Sequence, residues 1–277
     1  MSGLPNVVLT LPNRPENVSL VREMLNGLAD ALDLERDRLD DIKTAVSEAC
    51  NNVVLHAYEG GEGPMELRVH INDHSLEILV SDQGGGIRPR PASDERMQGI
   101  GLSVIQALTD RVVFSGAGGE GTEVCMEFVA PDLLAQYRLD SGDPAELEQK
   151  LLGSSETNVA VAPAAQLSNI LARVVTALAA RAHFSLDRLS DAQLVTDAIV
   201  AHAPAALDGT HLALGIDTAD RRLELRVGPL RAGRGAQLVS QSAIGGLEPL
   251  LEKLSDTIEV ETASGGELLR LELVDRR

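Results

Sequence analysis

The stretch Glu48-Ala49-Cys50-Asn51-Asn52-Val53-Val54-Leu55-His56-Ala57-Tyr58 decides the fold of the 277-residue chain. It closes a longer helical pattern, from about Leu39 to Tyr58, in which Leu39, Ile42, Val46, Ala49, Val53 and Ala57 recur at helical spacing and form one apolar stripe. Glu48, Asn52 and His56 follow one another at i, i+4 and i+8, so they stand in a single row along the border of that stripe. A carboxylate, a carboxamide and an imidazole beside a core are costly to bury unpaired. A solvated face with fortuitous spacing would account for three polar residues by themselves, but the sequence downstream narrows the choice.

Asp82-Gln83-Gly84-Gly85-Gly86-Ile87 comes directly after an apolar strand pattern, Leu76 to Ser81. An acidic side chain at a strand end can accept a hydrogen bond from a purine amino group. The glycines behind it let the backbone approach a ligand and adopt positive φ. Farther on, Gly99-Ile100-Gly101-Leu102-Ser103 opens an apolar helix, and backbone N–H groups at such a start can hold phosphate oxygens, helped by the helix dipole. Gly118-Gly119-Glu120-Gly121-Thr122 then turns into a last strand and offers a hydroxyl near the same place.

Working outward, the chain repeats its own order of elements. The first copy opens with a strand, Asn6 to Leu11, closed by Pro12, and the second with Asn158 to Ala162, closed by Pro163. Amphipathic stretches follow, Val18 to Leu32 and Leu167 to Ala182; then Asp37-Arg38-Leu39-Asp40-Asp41 is echoed by Asp187-Arg188-Leu189-Ser190-Asp191, each leading into a helix. Hairpin-like pairs come next, Glu66–Ile71 with Ser75–Ser81 and His211–Ile216 with Arg222–Val227. Gly-Leu helix starts at Gly101-Leu102 and Gly246-Leu247, and final strands at Glu123–Val129 and Glu267–Val274, complete the parallel. The expected architecture is an α/β (α+β) two-layer sandwich with helices on one sheet face, present twice. Its expected parts are a first domain over 1–133, a linker with a short helix over 134–156, and a second copy over 157–277.

Composition bounds the function. Aromatic residues make up only 2% of the chain and Trp is absent, which disfavours carbohydrate binding and base stacking. A net charge of −18 repels phosphate backbones and anionic lipid, so direct nucleic-acid or membrane-surface binding is not expected. Cys50 and Cys125 have no metal-ligand spacing around them. With no signal-peptide pattern and no apolar run near the length of a membrane span, the chain reads as cytoplasmic, its thiols reduced.

The four elements around Asn52, Asp82, Gly99 to Gly101 and Gly121-Thr122 resemble, in order and spacing, the histidine-kinase-like ATPase superfamily of gyrase, MutL and sensor histidine kinases. The resemblance covers about residues 5–130. The run from Glu48 to Tyr58, the opening strand, Arg22 in the first helix and a short lid, Ile87 to Gln98, are most similar to the anti-sigma factor serine kinases of bacterial partner switching. That resemblance implies ATP and Mg²⁺ as cofactors. Asn52 would coordinate the metal, Glu48 would orient or deprotonate the attacking hydroxyl, and Asp82 would bind the adenine amino group. Gly84, Gly86, Gly99, Gly101 and Leu102 would shape the lid and phosphate cradle, and Thr122 would support the adenine side. The implied partners are an anti-anti-sigma protein, phosphorylated on serine or threonine, and a sigma factor. Two features depart from the family pattern: the lid has Arg88, Arg90 and Arg96 but no Lys, and Pro89 and Pro91 stiffen it.

Aligning the copies sets Ala198 opposite Glu48, His202 opposite Asn52, Pro229 opposite Asp82 and Arg231 opposite Gly84, so the second copy is expected to lack nucleotide. The family implied works as homodimers, and a fused, degenerate second copy would replace the dimer partner and leave the chain monomeric. The alternative to a kinase is a nucleotide-responsive binding module that transfers no phosphoryl group. Glu48 favours the enzyme, and the tandem arrangement with a stiff lid favours the binder.

Overall fold

Every second residue from Met65 to Ile71 and from Leu76 to Val80 is apolar, and these residues become the buried face of an antiparallel sheet. In the computed structural model of the chain, residues 4–85, 100–116, 121–130, 155–207, 209–243, 249–263 and 266–276 are described. The chain divides into two units, Met1–Arg138 and Leu139–Arg277.

The first unit runs β1 (Val7–Pro12), α1 (Asn17–Leu32), α2 (Arg36–His56), β2 (Pro64–Ile71), β3 (Ser75–Asp82), α3 (Ile100–Leu108), β4 (Arg111–Ser115) and β5 (Glu123–Val129). Its strands lie in the order β4-β5-β3-β2-β1, each antiparallel to its neighbour. In α1, Leu20, Val21, Met24, Leu25, Leu28 and Leu32 form the buried stripe. The helix stops where Asp33 turns left-handed at φ 52° and its N–H bonds back to Ala29. In α2 the buried positions include three small residues, Ala45, Ala49 and Cys50, which let the helix lie close to its neighbours. The two-layer α/β sandwich expected from the sequence is the fold observed.

The strand β4 was not in the sequence reading. Arg111-Val112-Val113-Phe114-Ser115 breaks polar–apolar alternation at Val113, which is 45% exposed on this sheet-edge strand. The helix read as Leu39 to Tyr58 starts a turn earlier, at Arg36, and ends at His56.

The second unit runs β6 (Thr157–Val161), α4 (Ala164–Arg181), α5 (Leu186–His202), a 3-10 turn (Ala203–Ala205), β7 (Leu212–Ala219), β8 (Arg222–Leu230), α6 (Gly235–Ser240), α7 (Leu250–Leu254), β9 (Thr257–Ala263) and β10 (Gly266–Val274). Its strand order, β6-β7-β8-β10-β9, is that of the first unit read from β1. Here too an outer strand, β9, and a short helix, α6, escaped the sequence reading. The helix start at Gly246-Leu247 and the linker helix Ala145 to Leu152 lie outside the described residues.

Registers and side chains repeat as well. Glu66 pairs with Ser81 in the first hairpin, and Ala213 pairs with Gly228 in the second, which puts Pro229 at the place of Asp82. In the first unit Arg38 Nη2 binds the Asp110 carboxylate and the Val129 carbonyl, while Val129 N–H donates to Asp110 Oδ2 at 2.8 Å. In the second, Arg188 binds Asp256 and the Val274 carbonyl, and Val274 N–H donates to Asp256 Oδ2 at 2.8 Å. This clamp ties the start of the second helix to the last strand, a long-range contact that no local pattern predicts. Among the described residues, no helix is long and apolar enough to cross a membrane.

Candidate functional site

The row read along α2 splits in the structure. Glu48 and Asn52 are half-buried, whereas His56, the last helical residue, is exposed. What faces the first two is Gly101, near the start of α3. A methyl group built on Gly101 would sit 2.8 Å from Glu48 Oε2 and 3.9 Å from Asn52 Oδ1. Two residues one turn apart on α2 and a glycine from α3 therefore meet at one point, and the missing Cβ leaves space between two oxygen donors and the backbone of a helix start. A hard cation bridged to phosphate oxygens takes such donors, with water and the phosphates completing its shell. Among the described residues no group of three or more His, Cys, Asp or Glu could hold a metal by itself. The two side-chain oxygens beside the helix start fit a metal whose shell is shared with phosphate. Leu102, next to Gly101, is 39% exposed on the outer side of α3.

Asp82 ends β3 and is buried. Its Oδ1 accepts the Gly84 N–H at 2.8 Å, closing a small turn, and its own N–H donates to the Thr122 carbonyl at 3.0 Å. Gly84 is required by contact, since a Cβ there would fall 2.0 Å from the Ala57 carbonyl oxygen at the end of α2. Gly121 is required twice over: its φ is +85°, and a Cβ would fall 2.1 Å from the Asp82 carbonyl oxygen. Its N–H donates to the Gly84 carbonyl at 3.1 Å. The structure therefore brings Asp82, Gly84, Gly121 and Thr122 into one hydrogen-bonded corner beside the C-terminus of α2. Gly86 and Gly99 lie outside the described residues, as do the lid and its arginines. Arg22 reaches α2 from α1, where its Nη1 donates to Ser47 Oγ at 3.3 Å.

Sequence reasoning gave Tyr58 no role. Its hydroxyl accepts the Gln83 N–H at 2.8 Å and donates to the Pro64 carbonyl at 2.5 Å. Burial raises its pKa, so the phenol stays protonated and able to donate. The two thiols are poor nucleophiles: burial pushes Cys50 up to about 12, and burial with Glu77, Glu123 and Glu127 nearby pushes Cys125 up to about 11.

The same positions in the second unit are occupied otherwise. Ala198 is buried where Glu48 stands in the first unit, and His202 Nε2 donates to the Ala243 carbonyl at 3.2 Å. Arg231 spends its Nη2 on the Ala205 carbonyl at 2.6 Å. Glu267, at the place of Thr122, accepts the N–H groups of Gly233 at 2.7 Å and Gly235 at 2.8 Å. Those bonds hold its carboxyl below the usual range. A carboxylate of the chain itself fills that backbone nest.

Residues 11–128 match the model of the histidine kinase-like ATPase domain family. The serine-protein kinase RsbW of Halalkalibacterium halodurans is 37% identical over 119 residues, which are 38% of this chain and 73% of that protein. The anti-sigma F factor of Caldanaerobacter subterraneus subsp. tengcongensis is 34% identical over 123 residues, 41% of this chain and 86% of that protein. A crystal structure of the RsbU and RsbW domains of a Mycobacterium tuberculosis protein aligns at 21% identity and TM-score 0.35 over 46% of this chain and 32% of that one, too low a likeness to add weight. With the matched domain and with relatives covered over more than two thirds of their length, the chain belongs to the histidine kinase-like ATPase family, in the branch of the RsbW serine-protein kinases and anti-sigma F factors.

Proposed function

We propose that the chain is an ATP-dependent protein serine kinase and anti-sigma factor of a partner-switching system, which phosphorylates an anti-anti-sigma protein and sequesters a sigma factor. The observation that carries this reading is the meeting of Glu48, Asn52 and Gly101. A module that only binds nucleotide has no need of a carboxylate one helical turn from the metal-binding amide. Bound Mg²⁺ would supply charge neutralisation at the phosphates, and Asn52 Oδ1 is the side-chain oxygen that would hold it. Glu48 accepts the proton of a serine or threonine hydroxyl as that oxygen bonds to the γ-phosphorus and the bond to ADP breaks. Asp82, with Oδ1 tied to Gly84, offers its other oxygen to the adenine amino group. The Thr122 carbonyl fixes the Asp82 backbone. Gly84 and Gly101, together with Gly86 and Gly99, shape the phosphate cradle.

In this reading residues 1–133 form the nucleotide domain, 134–156 a linker, and 157–277 a degenerate second copy that replaces a dimer partner. The chain is a cytoplasmic monomer that binds one ATP. Support comes from the repeated strand order, the repeated arginine clamp, and the replacement of Glu48, Asn52, Asp82 and Thr122 by Ala198, His202, Pro229 and Glu267.

The test is phosphoryl transfer from radiolabelled ATP to candidate anti-anti-sigma proteins. Glu48→Gln should keep ATP binding and lower transfer by about 10²-fold, the scale of a lost general base. Asn52→Ala should remove the Mg²⁺ dependence of binding. ATP binding without transfer to any such protein would leave only the binding-module reading.

A further inference from the structure

The two halves of the site sit on different elements. Glu48 and Asn52 belong to α2, whereas Asp82 belongs to the corner after β3. A nucleotide spanning them binds well only if the distance between the two is set beforehand. The backbone alone makes one stitch, from Gly85 N–H to the Ala57 carbonyl at 3.0 Å. The other stitch is Tyr58, one residue beyond Ala57. Its hydroxyl takes the N–H of Gln83, which directly follows Asp82, and gives its proton to Pro64 at the start of β2.

The ring that carries this hydroxyl is itself held. A Cβ on Gly63 would lie 2.1 Å from Tyr58 Cε1 and 2.3 Å from Cζ, so the ring rests directly on the Gly63 backbone. Gly63 is fixed in turn by Asn13: the Gly63 N–H donates to Asn13 Oδ1 at 2.9 Å, and the Asn13 N–H donates to the Gly63 carbonyl at 3.0 Å. The chain of support thus runs from β1 through Gly63 and the Tyr58 ring to the amide beside Asp82.

We propose that Tyr58 is a positioning residue that latches the Asp82 corner to the end of α2, and that Asn13 and Gly63 are its seat. The proposal rests on the kinase reading for its effect on turnover. The latch acts on binding of the adenine end and leaves the reacting end, built on Glu48 and Asn52, in place. Removing the hydroxyl therefore separates KM from kcat, which a general loosening of the fold would not do.

The experiment compares wild type, Tyr58→Phe and Gly63→Ala. Tyr58→Phe keeps the ring and loses both hydrogen bonds; Gly63→Ala keeps the hydroxyl and lifts the ring off its seat. Both should raise KM for ATP about tenfold, the scale of one lost hydrogen bond, with kcat at saturating ATP within about twofold of wild type. Amide hydrogen exchange read by NMR should accelerate at Gln83 in both, while Ile78 and Val80 in β3 keep their wild-type protection. Unchanged exchange at Gln83 with unchanged KM overturns the latch. A fall in kcat together with loss of protection throughout β3 overturns it too, because Tyr58 would then serve the fold at large. If wild type neither binds ATP nor transfers phosphate, the kinase reading fails, and exchange at Gln83 still decides whether the latch exists.

Discussion

Replacing Gly101 by alanine should separate catalysis from stability. The added methyl carbon would sit 2.8 Å from Glu48 Oε2, whereas ordinary contact begins at 3.4 Å, so the carboxylate must retreat by about 0.6 Å (3.4 − 2.8). The obstacle is the far end of a flexible side chain, so the retreat costs the fold little. Alanine also suits a helix better than glycine by up to about 1 kcal/mol, so Gly101→Ala should be neutral to stabilising in urea denaturation. Transfer should suffer in the opposite sense. With Glu48 as the proposed base, displacing it by the better part of an ångström, and crowding Asn52 Oδ1 at 3.9 Å, should cost on the order of 10²-fold in rate. The assay is steady-state phosphorylation of the partner protein at saturating Mg²⁺ and ATP, beside a denaturation curve of the same preparation. Wild-type turnover in a stable Gly101→Ala protein would refute the assignment of Glu48 to the reacting end.

Asp82→Asn keeps the oxygen that caps Gly84 but puts an amide where an acceptor is needed; ATP affinity by calorimetry should weaken by about 1–3 kcal/mol, and unchanged affinity would remove Asp82 as the adenine reader. Gly84→Ala differs in kind from Gly101→Ala, because its Cβ meets the backbone oxygen of Ala57 at 2.0 Å; it should lower stability by about 1–3 kcal/mol in urea denaturation. Asp110 is held below the usual carboxylate range by the Val129 N–H and by Arg38. A folded pKa below the unfolded one gives stabilisation that is complete above the unfolded value of about 3.9 and is lost as pH falls through the folded value. The stability gap between wild type and Asp110→Asn should thus hold from neutral pH to about 5 and shrink below about 4, as read from urea midpoints across that range.

How much of this was legible beforehand follows from the range of the interactions. The alternation in Met65 to Ile71 and Leu76 to Val80 and the 3.6-residue stripes of α1 and α2 are local patterns, and the strands and helices they predicted are present. The strands β4 and β9 were missed for the converse reason. They lie at sheet edges, where one neighbour suffices and burial imposes little pattern on the sequence. The row Glu48, Asn52, His56 was correct as a row, but only packing against Gly101 distinguished the two members that share a site from the exposed third.

The sequence by itself determined the family and the main helices and inner strands, because periodicity and motif spacing are properties of a few adjacent turns. Tertiary structure alone decided which glycines are there for contact, as Gly84 against Ala57, Gly101 against Glu48 and Gly63 under Tyr58. It alone disclosed that an arginine and an aspartate 72 residues apart form a clamp, and that the second unit repeats it. Such contacts join positions whose separation along the chain carries no period, so they exist only once the chain has closed on itself.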